Sequence, residues 1–195
     1  MYTSFINTYS ITFVQNPEKM KKSHQKPFPR LTTNRLVLRQ LKEEDGPELF
    51  ELRADTRVNT YLDRPIPKSI EETLAFIKKV NNGVKKGENI YWVLCTRDSP
   101  RLMGAIGLRN FSGDRTIAEI GYELLPRYQQ QGFMQEALQR VIDYGFTDLQ
   151  LQIIQAYTHK DNAASARLLQ KNGFLPAIVP ESEDDGYTLA FIIRK

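Results

Sequence analysis

Two short stretches of the chain have the residue types and spacing of chemistry as well as of packing. The first is Pro126-Arg-Tyr-Gln-Gln-Gln-Gly132-Phe-Met-Gln-Glu-Ala-Leu138, which follows an apolar run from Ile117 to Leu125 and opens a helical pattern. A helix start carries N–H groups without intrahelical partners and the positive end of the aligned peptide dipoles. A turn that leads into it, with a glycine allowing close approach to the backbone, is able to cradle a phosphate. An ordinary helix start with a glycine for tight packing reads the same way. The second stretch is Asn162-Ala-Ala-Ser165-Ala-Arg-Leu-Leu-Gln-Lys171-Asn-Gly173-Phe174, a short helix with a polar start and a glycine stop. Asn162 and Gly173 suit a helix N-cap and the left-handed residue after a helix.

The elements around these stretches must bring them together. Arg35 to Leu41 alternates as a strand, and Glu43 to Ala54 reads as a short helix. From Pro67 to Lys86, Ile70, Leu74, Ile77, Val80 and Val84 recur at helical spacing, behind a cap-type Ser69 and the acids Glu71 and Glu72. Three strands follow at 89–97, 101–111 and 116–125, joined by short turns as an antiparallel meander. Helix 131–146, strand 151–158, helix 163–172 and strands near 174–179 and 187–194 complete the pattern. The acidic turn Glu181–Asp185 lies between the last two. This order predicts an α+β (mixed α/β) fold, a single central sheet flanked by helices. The helix after strand 116–125 returns to strand 151–158, which is expected to lie parallel beside it. The change from antiparallel to parallel pairing there predicts a cleft.

Composition narrows the function classes. A chain of 195 residues, 41% hydrophobic and 26% charged, is ordinary for a globular protein with one large core. Residues 1–30 hold Lys19, Lys21, Lys22, Lys26 and Arg30 against one acid, Glu18, so the whole net charge of +4 sits in this tail. No nucleic-acid surface is therefore expected on the folded part. Residues 1–29 read as a disordered basic extension and 30–195 as the domain. The single cysteine, Cys95, excludes an internal disulfide, and two histidines, His24 and His159, make no zinc set, so no metal is expected. No apolar run reaches the ~18 residues of a membrane span and the N-terminus lacks a signal pattern, so a cytoplasmic protein is expected.

The chain resembles the GCN5-related N-acetyltransferase (GNAT) superfamily, in the branch of ribosomal-protein-alanine N-acetyltransferases. The resemblance spans roughly residues 31–194. It rests on Leu31-Thr-Thr-Asn-Arg-Leu-Val-Leu-Arg39, Ala118-Glu-Ile-Gly-Tyr122, Gln129-x-x-Gly132-x-Met134, Asn162-x-x-Ser165 and Lys171-Asn-Gly-Phe174. It implies a mostly antiparallel sheet with a V-shaped cleft between strands 116–125 and 151–158. The implied reaction moves an acetyl group from acetyl-CoA directly to a primary amine, a protein N-terminus fitting the branch best. A polyamine or aminoglycoside acceptor, and a non-catalytic acyl-CoA sensor, are the alternatives, as monomer or homodimer.

The resemblance also assigns roles. The amides of Gln130, Gln131, Gly132, Phe133, Met134 and Gln135 would take the coenzyme A pyrophosphate, although Gln130 and Met134 stand where small residues are usual. Glu119 is the candidate general base, with Glu123 on the same strand face as second choice. A free α-amine has a pKa near ~8 and a lysine near ~10, so a carboxylate acting through water helps make the nucleophile neutral. A salt-bridged strand carboxylate is the alternative for Glu119. A backbone N–H near Tyr122, Glu123 and Leu124 would meet the oxyanion, freed by a bulge in that strand. Asn162 would touch the pantetheine arm. Ser165 is the candidate proton donor to the leaving thiolate, because the tyrosine usual seven residues after the asparagine is Leu169 here.

Overall fold

In the computed structural model, which describes residues 27–179 and 185–195, alternating strand residues feed two separate cores on the two faces of one sheet. The strands are β1 (Leu31–Thr32), β2 (Leu36–Gln40), β3 (Ile90–Thr96), β4 (Ser99–Arg109), β5 (Ile117–Leu124), β6 (Ile153–His159), β7 (Leu175–Ala177) and β8 (Thr188–Arg194). The helices are α1 (Gly46–Ala54), α2 (Thr56–Asn59), α3 (Ile70–Lys86), α4 (Phe133–Thr147) and α5 (Ala163–Lys171). The sheet order is β1-β2-β3-β4-β5-β6-β8-β7, antiparallel throughout except for β5 beside β6.

Strand β3 shows how alternation divides the molecule. Trp92 and Leu94 pack with Ala137, Leu138 and Val141 of α4, and Val93 and Cys95 pack with Leu49, Leu52 and Ile77 of α1 and α3. On α3 the predicted cap is present: the Ser69 hydroxyl accepts the Glu72 N–H, and Gly87 ends the helix with φ 72°. The fold class, the mixed sheet and the parallel β5–β6 neighbours agree with the expectation. The short β1 and α2 were not anticipated, being too brief for periodicity to register. Residues 1–26 and the acidic positions 181–184 lie outside the described residues. Of the expected extension, Phe28 stacks edge-on against Trp92 at 6.0 Å, and the Trp92 indole donates to the Pro29 carbonyl at 2.7 Å.

Candidate functional site

The parallel pairing of β5 with β6 covers three residues, Ile117, Ala118 and Glu119, and then stops. Beyond Glu119 the two strands diverge, so the gap opens toward their C-terminal ends. The β4–β5 register runs unshifted from Arg109↔Glu119 to Gly104↔Leu124, so the expected bulge is absent from this ladder. Divergence alone frees the backbone. The Leu125 N–H donates to the Met103 carbonyl at 3.0 Å, which fixes the alternation along the ladder. Residues 119, 121 and 123 therefore direct their N–H groups to β4, and Tyr122 and Leu124 direct theirs into the gap. Glu123, expected among the residues lining the gap, does not do so. Its N–H belongs to the ladder and its side chain points to the α1/α3 face.

The turn after β5 is held open by its own side chains. Gln129 Nε2 donates to the Leu124 carbonyl at 2.9 Å, and Gln131 Nε2 donates to the Arg127 carbonyl at 2.8 Å. Arg35, just before β2, reaches this turn: its Nη1 donates to the Gln131 carbonyl at 3.0 Å and its Nε to Glu136 at 2.7 Å, with the guanidinium 4.4 Å over the Phe133 ring. Thr33 and the Arg35 amide also donate to Glu136. Burial pushes the Glu136 carboxyl up, but these donors together outweigh it and hold the group below its usual range. Gly132 has φ 78° and Gln130 φ 60°, both left-handed. The first helical bond of α4 runs from Glu136 N–H to the Gly132 carbonyl. Among the described residues, the N–H groups of Gln130, Gln131, Gly132, Phe133, Met134 and Gln135 donate to nothing. Six consecutive free amides at a helix N-terminus fit a pyrophosphate. The Met134 side chain is buried in the core and Gln130 is exposed, so neither departure from small residues fills the cradle.

On the α4/α5 face, Asn162 caps α5: its Oδ1 accepts the Ser165 N–H at 3.1 Å. Ser165 Oγ lies 2.9 Å from the Tyr122 hydroxyl. Burial lifts the Tyr122 phenol to about 12, only partly offset by the Ser165 contact. Leu169 is fully buried, in the core cluster against which Tyr122 packs.

The opposite face of β5 carries the carboxylates, separated by Gly121. Glu119 Oε1 accepts from Arg109 Nε at 2.9 Å and Nη2 at 2.5 Å, and Oε2 accepts from Asn110 at 2.6 Å. Glu123 is more enclosed, its side chain only 8% exposed, with Arg64 Nη1 2.6 Å from Oε2 and Arg53 Nη1 3.9 Å from Oε1. Tyr91 donates to Glu123 Oε1 at 3.2 Å. The 2.6 Å approach of Arg64 is ionic but poorly aligned, so Arg64 Nη2 and Glu123 Oε2 are buried without a directed hydrogen-bond partner.

Segment 60–69, between α2 and α3, crosses the mouth of the gap. Its Arg64 reaches Glu123 on β5, and its Tyr61 stacks on His159 at the end of β6, with ring centroids 5.5 Å apart. Tyr187 stacks on His159 at 5.8 Å. On α2, Arg57 pairs with Asp55 at 2.6 Å. Arg53, Arg109 and Asn110 were missed, because single polar residues at helix and strand ends carry no pattern. Among the described residues, no helix is long and apolar enough to cross a membrane, and no cluster of three or more His, Cys, Asp or Glu could hold a metal ion.

Comparison with known proteins gives the same outline. Residues 35–175 match the family described as Acetyltransferase (GNAT) domain. Uncharacterized N-acetyltransferase YoaA of Bacillus subtilis (strain 168) is 36% identical over 147 residues, covering 75% of this chain and 83% of its own. The ribosomal protein uS5-alanine N-acetyltransferase of Escherichia coli (strain K12) is 28% identical over 178 residues, covering 86% of this chain and 84% of its own. Among solved structures, a GNAT-family acetyltransferase from Bacillus anthracis superposes with a TM-score of 0.71 at 22% identity, covering 85% of this chain and 98% of that one. RimL, a ribosomal-protein alpha-N-acetyltransferase in complex with coenzyme A, superposes with a TM-score of 0.73 at 20% identity, covering 83% and 95%.

Proposed function

The chain belongs to the GNAT acetyltransferase family, and from that premise we propose that this acetyl-CoA-dependent N-acetyltransferase acts on the N-terminal amine of a protein. The observation that carries the reading is the end of β5–β6 pairing after Glu119 together with six free amides, those of residues 130–135, in the turn and helix start that follow β5. The pyrophosphate of acetyl-CoA would lie on the amides of residues 130–135 and the thioester would enter the gap. The similarity over 178 residues to a ribosomal-protein-alanine N-acetyltransferase supports a protein N-terminus as acceptor.

In this reading the α-amine, with a pKa near ~8, gives its proton through water to Glu119. Arg109 and Asn110 fix that carboxylate in orientation. The neutral nitrogen attacks the acetyl carbon, and the carbonyl oxygen takes up negative charge facing the N–H groups of Tyr122 and Leu124. The carbon–sulfur bond then breaks, the electron pair leaves on sulfur, and the nitrogen, cationic since the attack, gives its second proton to solvent. A phenol at about 12 does not surrender its proton to a thiolate whose acid lies near ~8.5. Tyr122 and Ser165, bonded to each other, therefore leave one hydroxyl proton to donate as a hydrogen bond to the leaving sulfur, and solvent supplies the proton.

The test is coenzyme A release, followed by thiol titration, across Ala-, Ser- and Met-starting peptides, polyamines and aminoglycosides. Turnover confined to peptides is the expected result; turnover confined to polyamines or aminoglycosides would replace the acceptor. Glu119→Gln is expected to lower kcat while acetyl-CoA affinity stays unchanged.

A further inference from the structure

The α1/α3 face of β5 holds more positive than negative charge. Glu119 and Arg109 neutralise each other, but beside Glu123 stand two guanidinium groups, Arg53 and Arg64. Arg64 is fixed by Asn59, which accepts from its Nε at 2.8 Å, and by Glu123. Its Nη2 is buried and has no partner. Arg53 donates no side-chain hydrogen bond among the described residues, lies over the Phe76 ring at 3.8 Å, and stops 3.9 Å short of Glu123. Burial makes the charge on Arg53 unfavourable and the neighbouring Arg64 adds to this, with Glu123 as the main offset. Tyr91, whose phenol burial keeps protonated, donates to Glu123 and contributes no charge. One glutamate thus balances two arginines, and a buried, uncompensated cation is unstable unless an anion completes it.

The place of this surplus charge in the fold gives it a use. Glu123 lies between Tyr122 and Leu124, whose amides face the gap. The excess charge is therefore within a side chain's length of the reacting carbon and on the opposite face from α4 and its free amides. Gly121 keeps the strand open beside it: a Cβ there would meet only the Arg109 guanidinium, at 3.8 Å. Gly121 is not left-handed and is not crowded, so neither backbone strain nor packing demands a glycine.

We infer that Arg53 and Arg64 hold a carboxylate of the acceptor, carried next to the amine that is acetylated. This rests on the acetyl-transfer reading above and adds the acceptor's charge to it. The same chemistry is offered by an acidic side chain at the second residue of a peptide and by the α-carboxylate of a free amino acid. A cationic acceptor meets the wrong sign at this position.

Binding, measured on the full chain saturated with coenzyme A, separates this inference from turnover. The probes are fluorescent peptides beginning Ala-Asp, Ala-Asn and Ala-Lys, read by anisotropy, and alanine against alaninamide, read by calorimetry. The Ala-Asp peptide is expected to bind at least tenfold more tightly than Ala-Asn, and Ala-Lys more weakly still. Preference for alanine over alaninamide, with no discrimination among the peptides, would assign the carboxylate to a free amino acid. Arg53→Gln removes no hydrogen bond seen here, so the fold should survive; it should abolish the discrimination and leave acetyl-CoA affinity intact. Equal binding of all probes, no binding of any, or discrimination that persists in both Arg53→Gln and Arg64→Met would overturn the inference. Failure of acetyl transfer with the charge preference intact would instead count against the proposed reaction.

Discussion

Gly104→Ala perturbs the site through packing alone. Gly104 stands opposite Leu124 in the β4–β5 ladder, and a Cβ there would lie 2.5 Å from the Glu123 carbonyl oxygen and 2.7 Å from Leu124 Cδ1. The leucine tip can turn, but the carbonyl belongs to the backbone. Bringing that contact out to the 3.0 Å that real Cβ atoms respect requires β5 to move by at least about 0.5 Å. Overpacking of this kind costs about 1–3 kcal/mol, and backbone atoms locked in a ladder place it in the upper part of that range. The narrower unfolded ensemble of alanine returns about 0.4–1 kcal/mol, leaving a net loss near 2 kcal/mol. The moving residues carry the two amides that face the gap. A misplacement of 1 Å can cost ~100-fold in rate, so a shift of half that size should lower kcat about tenfold. Urea unfolding gives the first number and coenzyme A release on a productive acceptor gives the second. Gly121→Ala is the control: its Cβ has room, and its stability should stay within ~0.5 kcal/mol of the parent. A Gly104→Ala protein with an unchanged urea midpoint and unchanged kcat would refute the claim that β4 sets the position of these amides.

Other outcomes follow from the same contacts. Gly132→Ala places a Cβ at left-handed φ 78° and 3.3 Å from Arg35 Nη2, and should cost ~1–2 kcal/mol in urea and weaken acetyl-CoA binding by calorimetry. The Glu136 carboxyl is held below its usual range, so its contribution is complete above the unfolded value of about 4.5 and is lost as pH falls through the folded value. The urea midpoint of Glu136→Gln should accordingly sit below the parent's near neutrality and approach it in acid. Leu169→Tyr, which restores the residue usual in the family, should destabilise by ~1–3 kcal/mol without raising kcat, because the side chain enters the core.

How much of this was legible in the sequence depended on the range of the interaction. Pattern marked the strands from β2 to β8 and the helices α1, α3, α4 and α5, and the order of elements then dictated the parallel neighbour of β5. Gly132 and the helix start behind it were visible as local chemistry. The left-handed Gln130 was not, because nothing in a glutamine announces φ 60°. The partners of the two glutamates come from elsewhere in the chain: Arg109 and Asn110 for Glu119, Arg53 and Arg64 for Glu123. Such ion pairs follow from tertiary placement rather than from pattern. Leu169 illustrates the converse, since a family position does not reveal which way its side chain points until the helix is docked.

The ring stack of Tyr61, His159 and Tyr187 gives the mouth of the gap a timescale. Segment 60–69 is tied to β6 by the Tyr61–His159 contact and to β5 by the Arg64–Glu123 ion pair. A stacked pair at the surface is worth roughly 0.5–1.5 kcal/mol, so on the β6 side the strap is fastened weakly. A difference of ~1 kcal/mol is a factor near 5 in an equilibrium, so this contact by itself holds its end of the strap only loosely. Loop motions of this size run in nanoseconds to microseconds, far faster than a typical turnover of ~10 per second. Passage of an acceptor through the mouth is therefore expected to be faster than turnover.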